Sequence, residues 1–333
     1  PSRPFKVRAM GLYIGVDVGT VSVKVAILAE AESVEALSAA SESTELFTGR
    51  PQPLSDGAAV LLARYHRIKG SPVTGTRNIL EGIFAALSQA DIEGVRVCGS
   101  GSDLVGRLLG AHFENEFRAL ARGVAALHPE TRTVFEIGGQ SSRYLRLERD
   151  ESSGTTGIAD YEQSGDCAAG TGSFLDQQAG RLRFDVEDIG RLATETERSA
   201  KIAGRCSVFA KSDMIHAQQK GYTPAEVLKG LCEAIARNFK SSIVKGKKVE
   251  KPVVFAGGLA RNAGVVEALR DLFRMGHGDL IVPVQDAWMP AIGAALAERD
   301  AETASGTPDL GLLQQNQDPS SKNDEASRPL SVD

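Results

Sequence analysis

The amino-acid sequence predicts an α/β protein of two lobes built on one plan, and three features carry that expectation. Strand-like and helix-like runs alternate along residues 11–300, the pattern of sheets with helices on their faces. A β-hairpin with an acid at its turn is written twice, 119 positions apart, so that Asp17 answers to Glu136 and Gly19 to Gly138. A glycine pair, Gly257-Gly258, ends a later strand in the second half. With 333 residues, 42% of them hydrophobic, the chain has apolar side chains enough for two packed cores.

Taken in order, Leu12 to Val18 alternates at period two, turns at Gly19-Thr20 and resumes as Val21 to Leu28, with Val23, Val25 and Ile27 on one face. Ser33 to Tyr65, rich in Ser, Ala and Pro, reads as an insertion. Ile79, Leu80, Ile83, Phe84 and Leu87 fall at helical spacing and predict a helix over Asn78 to Ala90, followed by a strand at Val95–Cys98 that ends in Gly99-Ser100-Gly101. The second hairpin occupies Thr133 to Arg143. Thr223-Pro224-Ala225-Glu226 supplies an N-cap, a proline at the first helical position and a capping-box acid, and opens a helix whose apolar face carries Val227, Leu228, Leu231, Ile235 and Phe239. A strand at Val253–Ala256 and a helix from about Asn262 to Phe273 follow. The expected organisation is an N-terminal extension over 1–10, a first lobe over 11–145, a second over 146–300, and a flexible tail or linker over 301–333.

A net charge of −5 provides no positive field for a phosphate backbone, so nucleic acid is not an expected partner. No apolar run approaches the roughly 20 residues of a membrane span, and the basic start, Pro1 to Met10, lacks a following signal core. The expected setting is cytoplasmic, with no membrane contact. Four scattered cysteines, Cys98, Cys167, Cys206 and Cys232, do not form a disulfide scaffold in a chain this long.

The hairpin turns carry what a nucleotide triphosphate needs. Gly19 admits close backbone approach, Thr20 and Ser22 offer hydroxyls, Asp17 is an acid for Mg²⁺ or its water, and Lys24 is a cation. The second turn repeats this with Gly138, Gly139, Ser141 and Glu136, and adds Gln140, which could orient an attacking water. Either turn alone reads equally as a tight hairpin with a solvated acid; two in register favour phosphate binding. These segments resemble the two phosphate motifs and the adenosine motif of the sugar-kinase, heat-shock-chaperone and actin ATPase superfamily. That resemblance implies an actin-like (ribonuclease H-like) fold with ATP or ADP in the cleft between its lobes. It also implies adenosine contacts from Gly257, Gly258 and Asn262.

Cys167 precedes a glycine-rich helix start, Ala168-Ala169-Gly170-Thr171-Gly172, and Cys206 precedes a second helix start, Ser207-Val208-Phe209-Ala210. A thiol at a helix N-terminus sits in a field that favours thiolate, the form that binds iron. Two such ligands are half of a four-cysteine set, which a twofold axis would complete. On the residues alone, small buried thiols beside helix starts remain an alternative, and Cys98 and Cys232 are assigned to packing. The two cysteine segments, with Gly138-Gly139-Gln140, closely resemble those of the activators of 2-hydroxyacyl-CoA dehydratases and the related ATPase subunits of benzoyl-CoA reductases. The resemblance implies a homodimer with a bridging [4Fe-4S] cluster on Cys167 and Cys206 of each chain. In such proteins ATP hydrolysis drives single electrons from a ferredoxin or flavodoxin donor to an iron–sulfur dehydratase or reductase.

Leu120 stands where that family usually has histidine, and Arg143 where lysine often follows the second phosphate motif. Two other functions fit the superfamily: a small-molecule kinase, for which Asp103 is the attractive catalytic carboxylate, and a nucleotide-gated interaction module without redox chemistry.

Overall fold

A computed structural model describes residues 11–68, 70–87, 92–150, 152, 154–165, 169–204, 206–308, 310–311 and 313. The chain divides into two compact units, one of Pro1–Ala119 with Pro290–Asp333 and one of Leu120–Met289.

The first unit opens with β1 (Leu12–Val18) and β2 (Ser22–Ala29), the predicted hairpin. It continues through α1 (Val34–Ser43), β3 (Gln52–Pro53), β4 (Ala59–Leu62), β5 (His66–Arg67), α2 (Pro72–Ala86), β6 (Ile92–Cys98), α3 (Ser102–Leu109) and β7 (His112–Phe113). The sheet order is β3-β4-β2-β1-β6-β7, with β5 also paired to β2. All seven residues of β1 are buried, as a central strand covered on both faces requires. Ser33 to Tyr65 is no appendage, since β4 pairs with β2 from Ala26↔Leu62 to Ala29↔Ala59 and so extends the sheet. The helix α2 starts six residues before the predicted Asn78, because Ser71-Pro72 presets its first turn. Gly75 hid that start: a Cβ there would lie 2.2 Å from Ile68 Cγ2, so glycine serves close packing rather than a break.

The second unit begins within α4 (Glu116–Leu127). It continues through β8 (Thr133–Ile137), β9 (Ser142–Arg149), β10 (Thr156–Gln163), α5 (Gly172–Leu182), α6 (Val186–Thr194), α7 (Ser207–Gln219) and α8 (Pro224–Asn238), which runs into a π-helical turn over Phe239–Val244. Next come β11 (Val253–Ala256), a 3₁₀ turn at Gly258–Arg261, α9 (Ala263–Phe273), β12 (Leu280–Ile281) and α10 (Met289–Arg299). The capping box at α8 forms as expected: Glu226 N–H donates to Thr223 Oγ1, and Thr223 N–H to Glu226 Oε2 at 2.7 Å. Its sheet runs β10-β9-β8-β11-β12. Strand for strand, with the same directions, this repeats β4-β2-β1-β6-β7, because β8 lies antiparallel to β9 and parallel to β11 as β1 does to β2 and β6.

The last helix belongs to the first unit. Gly15 in β1 lets α10 pack directly on the strand, since a Cβ there would lie 1.9 Å from the Ala291 carbonyl oxygen. The segment after it is also fastened. Ser305 Oγ donates to Val95 O and accepts from Val95 N–H, Thr307 Oγ1 donates to Ile92 O, and Leu313 is buried in the core of the first unit. The flexible tail expected from residue 301 therefore does not begin there. Its polar composition conceals anchoring through backbone-directed hydroxyls and Leu313; residues 314–333 lie outside the described residues. Among the described residues no helix is long and apolar enough to cross a membrane.

Candidate functional site

The two acid-bearing turns share one geometry. In β1–β2, Asp17 pairs across the ladder with Lys24, and Lys24 Nζ sits 2.7 Å from Asp17 Oδ2. In β8–β9, Glu136 pairs with Arg143, and Arg143 Nη1 sits 2.8 Å from Glu136 Oε2. Both acids are buried, so each charge is matched at its own turn. Gly19 N–H closes the first turn on Ser22 O at 3.0 Å, and Gly138 N–H closes the second on Ser141 O at 2.8 Å. Thr20 and Gln140 stand exposed at the two tips. The departure at Arg143 is thus a second cation in the place of Lys24, also 119 positions on. Only the register of the repeat could have signalled it.

A glycine follows each neighbouring parallel strand, where the sequence shows little reason to pair them. Gly99, after β6, has φ +94°, and a Cβ there would lie 2.5 Å from Asp17 Oδ1. Gly257, after β11, has φ +92°, and a Cβ there would lie 2.5 Å from Ile137 O. Each holds a turn that side chains do not adopt, against the strand that carries the acid.

The segment after Gly257 is built around Asp286. Gly257 N–H donates to Asp286 O at 2.9 Å, and Arg261 Nε reaches both Asp286 carboxylate oxygens at 3.0 and 3.1 Å. Burial pushes the Asp286 carboxyl above its ordinary value, against the pull of Arg261. The Arg261 guanidinium lies 5.1 Å from the Trp288 ring centroid. Asn262 acts structurally, since its Oδ1 caps α9 by accepting Val265 N–H at 3.0 Å and also receives the Cys232 thiol at 3.6 Å. Sequence reasoning missed Arg261 and Asp286, which no local motif marks.

Cys206 is the N-cap residue of α7 and is half-buried. The backbone N–H groups of Phe209 and Val208, in the first turn of α7, draw its pKa below the ordinary thiol value. Beside it, Val208 and Phe209 are 65% and 67% exposed. Cys167 lies outside the described residues, and among those described no group of three or more His, Cys, Asp or Glu side chains could hold a metal. Cys98 and Cys232 are buried, and burial pushes the Cys232 thiol up to about 12.

The helix after Cys167 is tied to the second turn. Gly172 N–H donates to Gly138 O at 2.9 Å and Ser173 N–H to Gly139 O at 2.8 Å. The first turn of α5 therefore rests on the turn that carries Gln140. By contrast Asp103, the kinase candidate, is a solvated acid paired with Arg107 one helical turn along. Leu120 is fully buried, so an apolar residue suits that position here.

The sequence matches the BadF/BadG/BcrA/BcrD ATPase family over residues 14–297. It is 33% identical over 233 residues to the 2-hydroxyisocaproyl-CoA dehydratase activator of Clostridioides difficile, covering 68% of this chain and 82% of that one. To the activator of lactoyl-CoA dehydratase of Anaerotignum propionicum it is 30% identical over 254 residues, covering 74% and 92%. In structure it resembles the activator of the 2-hydroxyisocaproyl-CoA dehydratase from Clostridium difficile with bound ADPNP. The TM-score is 0.68 at 26% identity, with coverage of 96% of this chain and 100% of that one. The duplicated sheets are those of the actin-like ATPases, as expected from the two hairpins. The chain belongs to the BadF/BadG/BcrA/BcrD ATPase family.

Proposed function

We propose that this chain is an ATP-dependent reductive activase: a homodimer that holds one [4Fe-4S] cluster and uses ATP hydrolysis to pass single electrons to a partner enzyme. The observation that carries the reading is the pair of matched turns, Asp17–Lys24 and Glu136–Arg143, in a chain whose second turn is bonded to the helix following Cys167. Each unit offers a turn for phosphates of ATP: the backbone of Gly19-Thr20 with the hydroxyls of Thr20 and Ser22 in the first, and that of Gly138-Gly139 with the Ser141 hydroxyl in the second. Lys24 and Arg143 offset phosphate charge, and Gln140, exposed at its tip, orients the attacking water. Asp17 and Glu136 would hold Mg²⁺, which would offset phosphate charge. Gly257 and Gly258 face the adenosine, with Asn262 fixing the helix that follows them.

Cys206 fits an iron ligand, since the end of α7 favours its thiolate and leaves it accessible. With Cys167 it gives two ligands per chain, and two chains complete four; exposed Val208 and Phe209 next to Cys206 suit the meeting of two copies. Such a cluster supplies one-electron transfer at low potential. The acceptor is a dehydratase or reductase acting on an acyl-CoA, the kind of enzyme for which the relatives are named, and the donor a ferredoxin or flavodoxin.

The test is anaerobic purification with iron analysis. About four irons per dimer are expected, lost in both Cys167→Ser and Cys206→Ser. A full cluster in Cys206→Ser, or four irons on a monomer, rejects the shared site.

A further inference from the structure

Two glycine turns, one next to each proposed ligand, meet at a single side chain. Gly170 lies three residues after Cys167, and Gly204 two residues before Cys206. Asn238, the last residue of α8 and buried, donates from Nδ2 to Gly204 O at 2.6 Å. Gly170, at φ +77°, lies so close over the same carboxamide that a Cβ would fall 2.9 Å from both Asn238 Cγ and Oδ1. The surroundings hold both turns to that spot. Gly204 is pressed on α8, where a Cβ would lie 2.3 Å from Ala234 O, and Ile202 O accepts from Arg237 Nη2 at 3.1 Å. Gly170 O accepts from Ser142 Oγ at 3.4 Å at the start of β9. Two residues beyond Gly170, the α5 N–H groups take hold of the Gly138 and Gly139 carbonyls.

A short chain of contacts therefore runs inside one unit, from the second phosphate turn through α5's first turn and Gly170 to Asn238, then through Gly204 to Cys206. We propose that Asn238 is the positioning residue that couples the Gly138-Gly139 turn to Cys206. The inference rests on the function proposed above and adds the element that transmits it. The carboxamide suits this role because it is rigid and planar, donates to one turn and bears the other by contact; hydrogen-bonded packed groups of this kind transmit small displacements. The helix end it occupies leads straight into the π-helical turn, a departure from α geometry that recurs at functional positions.

The experiment follows Cys206 in the full-length, cluster-free chain, by its rate of alkylation with iodoacetamide, read peptide by peptide, with ADP and with a non-hydrolysable ATP analogue. In the unmodified chain the two nucleotides should give rates about fivefold or more apart. Asn238→Asp keeps the shape but cannot donate to Gly204 O, and Asn238→Ser removes the bulk beneath Gly170. Both should bring the two rates together while ATP hydrolysis by the same preparations, which also certifies folding, persists. A nucleotide difference of unmodified size in both variants overturns the proposal, as does its absence from an unmodified chain that hydrolyses ATP. Absence of iron from the anaerobic dimer would instead reject the iron–sulfur reading, so the two failures are told apart.

Discussion

Asp17 and Glu136 are buried acids that each meet a cation across the hairpin, and this sets what their removal does. Asp17→Asn removes the carboxylate that Lys24 meets at the turn, and Gly139→Val fills the space in which backbone meets phosphate. Each should lower ATP hydrolysis by about 100-fold or more while iron content stays unchanged, because each change alters a side chain and leaves the Gly138 and Gly139 carbonyls free to hold the start of α5. Normal turnover in both would refute the phosphate assignment. Cys232 gives a prediction of another kind. Its thiol donates to Asn262 Oδ1, and its pKa is pushed from 9.0 to about 12 by burial, so between those values only the unfolded chain releases the proton. The contribution is complete below pH about 9 and is lost as pH rises towards about 12, at no more than about 1.4 kcal/mol per pH unit. The stability advantage of the unmodified chain over Cys232→Ala should shrink across that window. An advantage that stays constant in denaturant titrations from pH 8 to about 11 would contradict it.

At the level of elements, the ends of β6 and β11 depend on glycine. Gly257→Ala meets Ile137 O in a backbone conformation that alanine rarely adopts, and should cost about 3 kcal/mol or more. Thr223→Ala, which removes only the α8 cap, should cost about 1 kcal/mol. Equal midpoints for the two variants in thermal unfolding would show that the Gly257 approach is not tight. These cases also show what sequence discloses. The hairpins, the α8 cap and β11 were legible because their signals are local: alternation, a capping box, a glycine pair. The start of α2 was not, since Gly75 looks like a breaker until Ile68 is seen against it. Nor were Arg143, Arg261 and Asp286, whose meaning lies in partners fixed by the sheet. Ser33 to Tyr65 and the segment after Asp300 look dispensable by composition, yet one supplies β4 and the other ties itself to β6.

At the scale of the whole molecule, the proposed cluster and the nucleotide should sense each other. Coupling of binding sites is reciprocal, so if the ATP analogue and ADP set different arrangements at Cys206, cluster oxidation state must alter nucleotide affinity. A shift of about 60 mV in this one-electron couple would correspond to roughly 1.4 kcal/mol, or about tenfold in affinity. Redox titration followed by EPR, with ADP, with the analogue and without nucleotide, reads it directly. Coincident midpoints in all three would assign ATP to gating the encounter with the partner enzyme.

The packing of α10 on Gly15 also bears on how the protein is made. The first unit is assembled from both ends of the sequence, whereas the second is one uninterrupted stretch. A ribosome that has finished Ala119 must still add Leu120 to Arg299 before β1 receives its cover, roughly 10 to 40 s at ordinary elongation rates. During that interval the second unit can fold to completion while the strand bearing Asp17 waits beside the translating ribosome with an apolar face uncovered. The unit bearing Cys206 is thus complete in the nascent chain before the unit bearing Asp17, and the exposed face of β1 is where aggregation during synthesis is expected.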